Sequence, residues 1–111
     1  MTTSSRPLDE LERTIAERAA QPSDKSYTAQ LLAGGVDEIG AKIVEEAVEL
    51  VEAAAEPGDA GRENLIREAA DLMYHVLVLL RLRNATLADV EAELARRFGV
   101  SGLEEKARRK K

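Results

Sequence analysis

Acidic side chains are concentrated in two short stretches of the sequence. The first holds Glu45, Glu46 and Glu49, and the second holds Glu68 and Asp71. Residues three or four positions apart lie on one face of a helix, so each stretch would present its carboxylates together. Grouped carboxylate oxygens bind Mg²⁺, which relieves their mutual repulsion. The pattern therefore favours a site for a divalent cation and, through that cation, an anionic substrate.

An acidic run opposite an apolar face is also the common appearance of a solvated helix surface. The second stretch argues against that interpretation, because residues 72–82 after it are apolar on nearly every side. Such a helix is buried, and carboxylates on it are costly unless a cation compensates them. Two arrangements remain open at this point: ion pairs with Lys42, Arg62 or Arg67, and a bound metal ion.

His75 is the only histidine and follows Asp71 by one helical turn. Mg²⁺ prefers oxygen ligands, so His75 is expected to orient Asp71 or a nearby water rather than to bind the metal. A di-iron carboxylate bundle, a different class of enzyme, requires Glu-x-x-His on two helices. One histidine, four residues after Asp71, does not supply that pattern.

The elements that must position these residues are predicted to be helices, since no stretch alternates with the period of two typical of strands. Proline and glycine pairs divide the chain into predicted helices over residues 7–20, 27–33, 36–55, 60–83 and 87–98. The expected architecture is an all-α antiparallel bundle built on the third and fourth helices. We predict a single domain over residues 1–111, with a core at 7–98 and a tail from 99.

Polar residues mark where several of these helices begin. Asp24 or Ser26 is expected to cap the second helix and Asp59 the fourth. Thr86 with Asp89 resembles a capping box for the fifth.

Composition narrows the class of protein. The chain has 111 residues, no cysteine and a formal net charge of −5. Disulfide scaffolds and thiolate metal sites are excluded, and binding to nucleic acid is not expected. Residues 1–6 lack the apolar region of a signal peptide, and the apolar run at 76–80 is too short to span a membrane. We therefore expect a cytoplasmic protein.

The spacing of the acidic residues has a counterpart in known enzymes. Glu-Glu-x-x-Glu, then 18 residues, then Glu-x-x-Asp resembles the signature of the all-α nucleoside-triphosphate pyrophosphohydrolases, the MazG-like superfamily. The surrounding sequence at residues 26–32, 42–49 and 68–80 resembles that of the phosphoribosyl-ATP pyrophosphohydrolase family of histidine biosynthesis. The opening Ser-Tyr-Thr and the pair Tyr74-His75 distinguish that family from its relatives, and the resemblance covers roughly residues 26–97.

The resemblance implies hydrolysis of the α–β phosphoanhydride of phosphoribosyl-ATP, giving phosphoribosyl-AMP and pyrophosphate. It places Glu46, Glu49, Glu68 and Asp71 at the positions of metal ligands. Mg²⁺, with Mn²⁺ as a possible substitute, would offset the charge of the triphosphate and orient a water. Glu45 is then the remaining candidate for a general base or a supporting carboxylate, beside the catalytic positions Glu46 and Glu49.

The substrate contacts are expected from residues that flank the acidic stretches. Lys42 is a candidate for a phosphate contact, although a helix-surface pair with Glu46 would explain it equally well. Residues 26–28 open a helix whose free N–H groups suit phosphate or ribose oxygens. The predicted substrate-binding residues are Lys25, Ser26, Tyr27, Thr28, Lys42 and His75.

Two alternatives remain beside this interpretation. One is a general nucleoside-triphosphate or dUTP pyrophosphohydrolase with the same metal site. The other is a non-catalytic helical dimerisation module, which explains the apolar fourth helix but not its carboxylates. Four short helices cannot cover that helix, so an intertwined homodimer is predicted, with Val78 among the outward-facing positions and with helices exchanged between subunits.

Overall fold

A computed structural model describes residues 6–99 and 102–109 as a set of five α-helices, with no strand among those residues. The helices are α1 (Pro7–Ala20), α2 (Tyr27–Ala55), α3 (Gly58–Leu82), α4 (Leu87–Arg96) and α5 (Gly102–Arg109). The predicted all-α class is confirmed. Residues 1–5, 100, 101, 110 and 111 lie outside the described residues, so the predictions that concern them are not compared with the structure.

Helix α2 contains the break that the glycine pair predicts. Gly35 adopts φ 74° and ψ −160°, a conformation that favours glycine, and helical geometry resumes directly after it. The predicted second and third helices are therefore confirmed as the two helical segments of α2, which the kink at Gly35 separates. Ser26 caps the first segment, since its hydroxyl accepts a hydrogen bond from the Ala29 amide at 3.1 Å.

Helices α2 and α3 form a hairpin through the short link at Glu56 and Pro57. Pro57 stands at the N-cap position of α3 and makes no side-chain capping bond, so the predicted cap by Asp59 is wrong; Asp59 lies in the first turn. The turn is tight at Gly61, where an added Cβ would lie 2.1 Å from the Glu56 carbonyl oxygen. Glycine at this position therefore lets the first turns of α3 approach the backbone at the end of α2 closely.

Helix α1 packs against both arms of the hairpin. The core holds Ile15 from α1, Leu31 and Ile39 from α2, and Leu77 and Val78 from α3. Val78 is completely buried, so the prediction that it faces outward is wrong. Val78 belongs to the core cluster that residues of α1 and α2 complete, so the bundle itself covers the side of α3 that was predicted to face outward.

Helix α4 begins with the predicted capping box. The Thr86 hydroxyl accepts from the Asp89 amide, and the Asp89 carboxylate accepts from the Thr86 amide at 2.9 Å. The Glu12 carboxylate of α1 also accepts from the Leu87 amide at 2.7 Å, which attaches α4 to the bundle. No helix in the described part of the chain combines the length and apolar character needed to cross a membrane.

Candidate metal and nucleotide site

Three carboxylates from the two arms of the hairpin converge on one point. One oxygen each from Glu46 of α2 and from Glu68 and Asp71 of α3 lie within 4.8 Å of one another. We call these three residues the carboxylate cluster. Glu46 is buried, Glu68 is half-buried and Asp71 is exposed, so the cluster leads from the interior of the bundle to its surface. A ligand can therefore reach it from solvent.

The cluster is electrostatically unfavourable without a cation. Burial raises the pKa of the Glu46 carboxyl to about 7, and the charge of Asp71, a hydrogen bond with Glu49 and the charge of Glu68 add to the shift. The protein's own cations are directed elsewhere. Lys42 pairs with Glu45 and Arg67 donates to Asn64, and within residues 6–99 and 102–109 no lysine or arginine pairs with the cluster.

These observations favour a metal ion over the ion-pair arrangement. The donor set consists of carboxylate oxygens alone, which is the chemistry that Mg²⁺ and Mn²⁺ prefer. A divalent cation at this point would also remove the cause of the raised pKa, because it would favour the ionised form of Glu46.

The raised pKa gives an expected pH dependence of stability. Folded Glu46 holds its proton up to about pH 7, whereas an ordinary glutamate releases it near 4.5. Between these values the folded chain binds more protons than the unfolded chain, so the free energy of unfolding falls as pH rises. In metal-free buffer we expect the melting temperature of the wild type to fall relative to Glu46→Gln across this window. Parallel curves for the two proteins would contradict it.

Two further glutamates lie beside the cluster. Glu49 is exposed one turn after Glu46 and is linked to it by the hydrogen bond noted above, but it is not in the group of three. Glu45 is exposed and lies 3.1 Å from the Lys42 amine. The helix-surface alternative for Lys42 named Glu46 as its partner, and that detail is wrong, because Glu46 points into the hairpin while Glu45 points to solvent.

His75 is buried and touches the cluster directly. Its Nδ1 lies 2.9 Å from the backbone carbonyl of Asp71 and 3.4 Å from Oε1 of Glu46. Its Nε2 lies 3.0 Å from the Tyr27 hydroxyl. Helical spacing predicts that His75 lies beside Asp71, because both are on α3. It cannot predict the contacts with Glu46 and Tyr27, because those residues lie on the two segments of α2.

The predicted substrate-binding residues before the break in α2 have different environments. Ser26 and Thr28 are buried; the Ser26 hydroxyl is used as the helix cap, and that of Thr28 is hydrogen-bonded to the Tyr74 hydroxyl. Lys25 and Tyr27 are exposed, and the Tyr27 ring stacks on Tyr74 with centroids 6.1 Å apart. Of this segment, Lys25 and Tyr27 are therefore the side chains most accessible to a ligand.

Comparison with known proteins gives a consistent result. Residues 8–98 match the family model described as phosphoribosyl-ATP pyrophosphohydrolase. A protein named phosphoribosyl-ATP pyrophosphatase from Rhodopirellula baltica is 55% identical over 103 residues, which cover 93% of this chain and 86% of that protein. Proteins of the same name from Agrobacterium fabrum and Paracoccus denitrificans are 50% and 52% identical, over 92% and 93% of this chain and the same shares of theirs.

Proposed function

This chain belongs to the phosphoribosyl-ATP pyrophosphohydrolase family, and we propose that it hydrolyses phosphoribosyl-ATP to phosphoribosyl-AMP and pyrophosphate in histidine biosynthesis. The carboxylate cluster is the observation that carries the proposal beyond similarity. The cluster is open to solvent, and no lysine or arginine among the described residues pairs with its carboxylates. A site of this kind suits a substrate that arrives as a complex of a triphosphate with a divalent cation.

Glu46, Glu68 and Asp71 would hold Mg²⁺, with Glu49 beside them as the fourth carboxylate. The bound ion supplies charge neutralisation at the phosphate oxygens and a water of lowered pKa. Glu46 extends from the hydrophobic interior, so its position is fixed by packing rather than by solvent. Fixed charges of this kind need little reorganisation during the reaction.

Lys42 and Glu45 lie on α2 beside this point. Lys42 is close enough to Tyr27 for its charge to oppose the burial that raises the pKa of the Tyr27 hydroxyl. We assign Lys42 to a phosphate oxygen of the substrate and Glu45 to the attacking water or to the positioning of Lys42. A phosphate that draws Lys42 away would leave the Glu45 carboxylate free to accept a proton.

Removal of the metal tests this proposal. EDTA is expected to abolish the release of pyrophosphate from phosphoribosyl-ATP, and Mg²⁺ or Mn²⁺ in excess is expected to restore it, because the cluster alone repels the substrate. The melting temperature should rise when Mg²⁺ is added to metal-free protein. Full turnover in metal-free buffer would contradict the proposal.

We also propose that the chain forms a homodimer in the cytoplasm. On α2, Val44, Val48 and Val51 are 66%, 53% and 70% exposed and lie on one stripe of the helix. On α3, Ile66 and Met73 are 53% and 51% exposed. Apolar stripes on both arms of the hairpin are the kind of surface that a second copy covers.

Met73→Glu is expected to convert the dimer to a monomer, because it places a charge in the apolar interface. Arg18→Glu, which makes an exposed position of α1 more negative by two charges rather than one, serves as the control and should leave the dimer intact. Sedimentation velocity at micromolar concentration measures both variants. A wild type that sediments as a monomer would refute the dimer.

A further inference from the structure

We propose that Tyr27 is a positioning residue: its hydroxyl holds the imidazole of His75, and His75 in turn holds the Glu46 carboxylate in the cluster. The sequence suggested a direct contact between Tyr27 and the substrate. The structure instead assigns to its hydroxyl a partner inside the protein. This inference rests on the proposed function, since it gives Tyr27 a role at the proposed metal site.

The backbone carbonyl of Asp71 fixes the direction of the hydrogen bonds. A carbonyl oxygen only accepts, so Nδ1 of His75, at 2.9 Å from it, must carry a proton. The nitrogen that carries this proton also lies 3.4 Å from Oε1 of Glu46, close enough for the positive end of the N–H dipole to attract the carboxylate. In the neutral ring Nε2 then carries no proton, and the Tyr27 hydroxyl at 3.0 Å donates to it.

The arrangement connects residues on the two sides of the break at Gly35 through one side chain of α3. Tyr27 lies before the break and Glu46 after it, while His75 comes from α3. His75 is only 5% exposed, so water has little access to replace either of its contacts. Glu46 is the buried member of the cluster, and the contact of its Oε1 with the imidazole restricts the rotamers with which it can face Glu68 and Asp71. Mutation of groups that orient metal ligands in this way typically lowers metal affinity by about 10-fold to 100-fold.

The two tyrosines provide a matched pair of variants. The Tyr27 ring is held by stacking on Tyr74, so Tyr27→Phe removes the hydroxyl and keeps the ring contact. The Tyr74 hydroxyl is bonded to Thr28 and not to His75. Tyr74→Phe therefore removes an equivalent group from the neighbouring ring and leaves the contacts of His75 unchanged.

Nitrogen-15 NMR of histidine-labelled protein tests the link between Tyr27 and His75 without metal or substrate. The chain has one histidine, so both imidazole resonances are assigned directly. In the spectrum of the neutral imidazole we expect a proton on Nδ1 and an acceptor shift at Nε2. Tyr27→Phe should move the Nε2 resonance and Tyr74→Phe should not. A proton on Nε2, or identical spectra in wild type and Tyr27→Phe, would overturn the inference.

Mn²⁺ affinity in a double-mutant cycle tests the link from His75 to Glu46. Tyr27→Phe and His75→Asn are each expected to weaken Mn²⁺ binding by about tenfold or more. The double variant should bind no more weakly than His75→Asn, because Tyr27 acts only through His75. Tyr74→Phe should bind as the wild type does, and circular dichroism checks that each variant is folded.

The results of these measurements distinguish a failure of the positioning role of Tyr27 from a failure of the proposed metal site. Wild-type Mn²⁺ affinity in Tyr27→Phe with a raised KM would make Tyr27 a substrate contact and overturn its positioning role alone. Multiplicative losses in the double variant would do the same, since they would show that the two residues act independently. A wild type that binds no Mn²⁺ would overturn the metal site and the positioning role together.

Discussion

Replacement of Asp71 by asparagine is expected to lower kcat for phosphoribosyl-ATP by about a thousandfold while the chain stays folded. Asp71 is the exposed member of the carboxylate cluster, so the amide retains its size and removes a charge at little cost in burial. A bound metal ion contributes several kcal/mol of transition-state stabilisation. Loss of about 4 kcal/mol of this stabilisation with the ligand corresponds to a thousandfold lower kcat. Steady-state kinetics and circular dichroism measure the two quantities.

Glu63→Gln is the matched control, because Glu63 lies exposed on the same helix and outside the cluster. It should retain full activity, whereas Glu49→Gln should lose most of it. Removal of a repelled charge should also hold or raise the melting temperature of metal-free Asp71→Asn. A large fall in stability with activity retained would mean that the cluster is a structural ion network.

Phosphoribosyl-ATP is expected to be preferred over ATP by several orders of magnitude in kcat/KM. The cluster and its metal recognise the triphosphate, which both nucleotides share. Discrimination must therefore come from groups that touch the additional phosphoribosyl unit, and a factor of a thousand requires about 4 kcal/mol from those contacts. Lys25 is exposed at the start of α2, where its charge and the free amides of the first turn suit a phosphate.

Lys25→Ala is accordingly expected to lower kcat/KM for phosphoribosyl-ATP more than that for ATP. Asp71→Asn is the comparison, because damage to the metal site should reduce turnover of both nucleotides alike. Equal kcat/KM values of the wild type on ATP and phosphoribosyl-ATP would leave the pyrophosphohydrolase chemistry in place. They would assign the chain to the general triphosphate-hydrolysing branch of the superfamily.

Local signals in the sequence predicted most of the helical architecture. Pro7, Gly35 and the Thr86–Asp89 capping box act within a few residues, and each marks a helix boundary or break where it was expected. The cap by Asp59 failed because α3 begins at Gly58, which places Asp59 inside the first turn. The burial of Val78 was missed because it depends on core residues of α1 and α2, whose packing against α3 no local pattern specifies.

In the carboxylate cluster, too, contacts within one helix could be predicted from the sequence and contacts between helices could not. Helical spacing places Glu68 and Asp71 on one face, and the hairpin then brings Glu46 opposite them. Spacing could not separate Glu46 from Glu45, which are adjacent in sequence but point in different directions. The hydrogen bond of Tyr27 to His75 spans 48 positions and joins two different helices, so no local pattern could predict it.

Analysis of the products formed from phosphoribosyl-ATP tests the central claim most directly. Phosphorus-31 NMR of a reaction with wild-type enzyme and Mg²⁺ distinguishes pyrophosphate from orthophosphate, and EDTA-treated enzyme and the Asp71→Asn variant serve as blanks. We predict equal amounts of phosphoribosyl-AMP and pyrophosphate, no orthophosphate, and no reaction in either blank. Release of orthophosphate, or hydrolysis of dUTP or ATP with phosphoribosyl-ATP left intact, would contradict the assignment of this site to the α–β bond of phosphoribosyl-ATP.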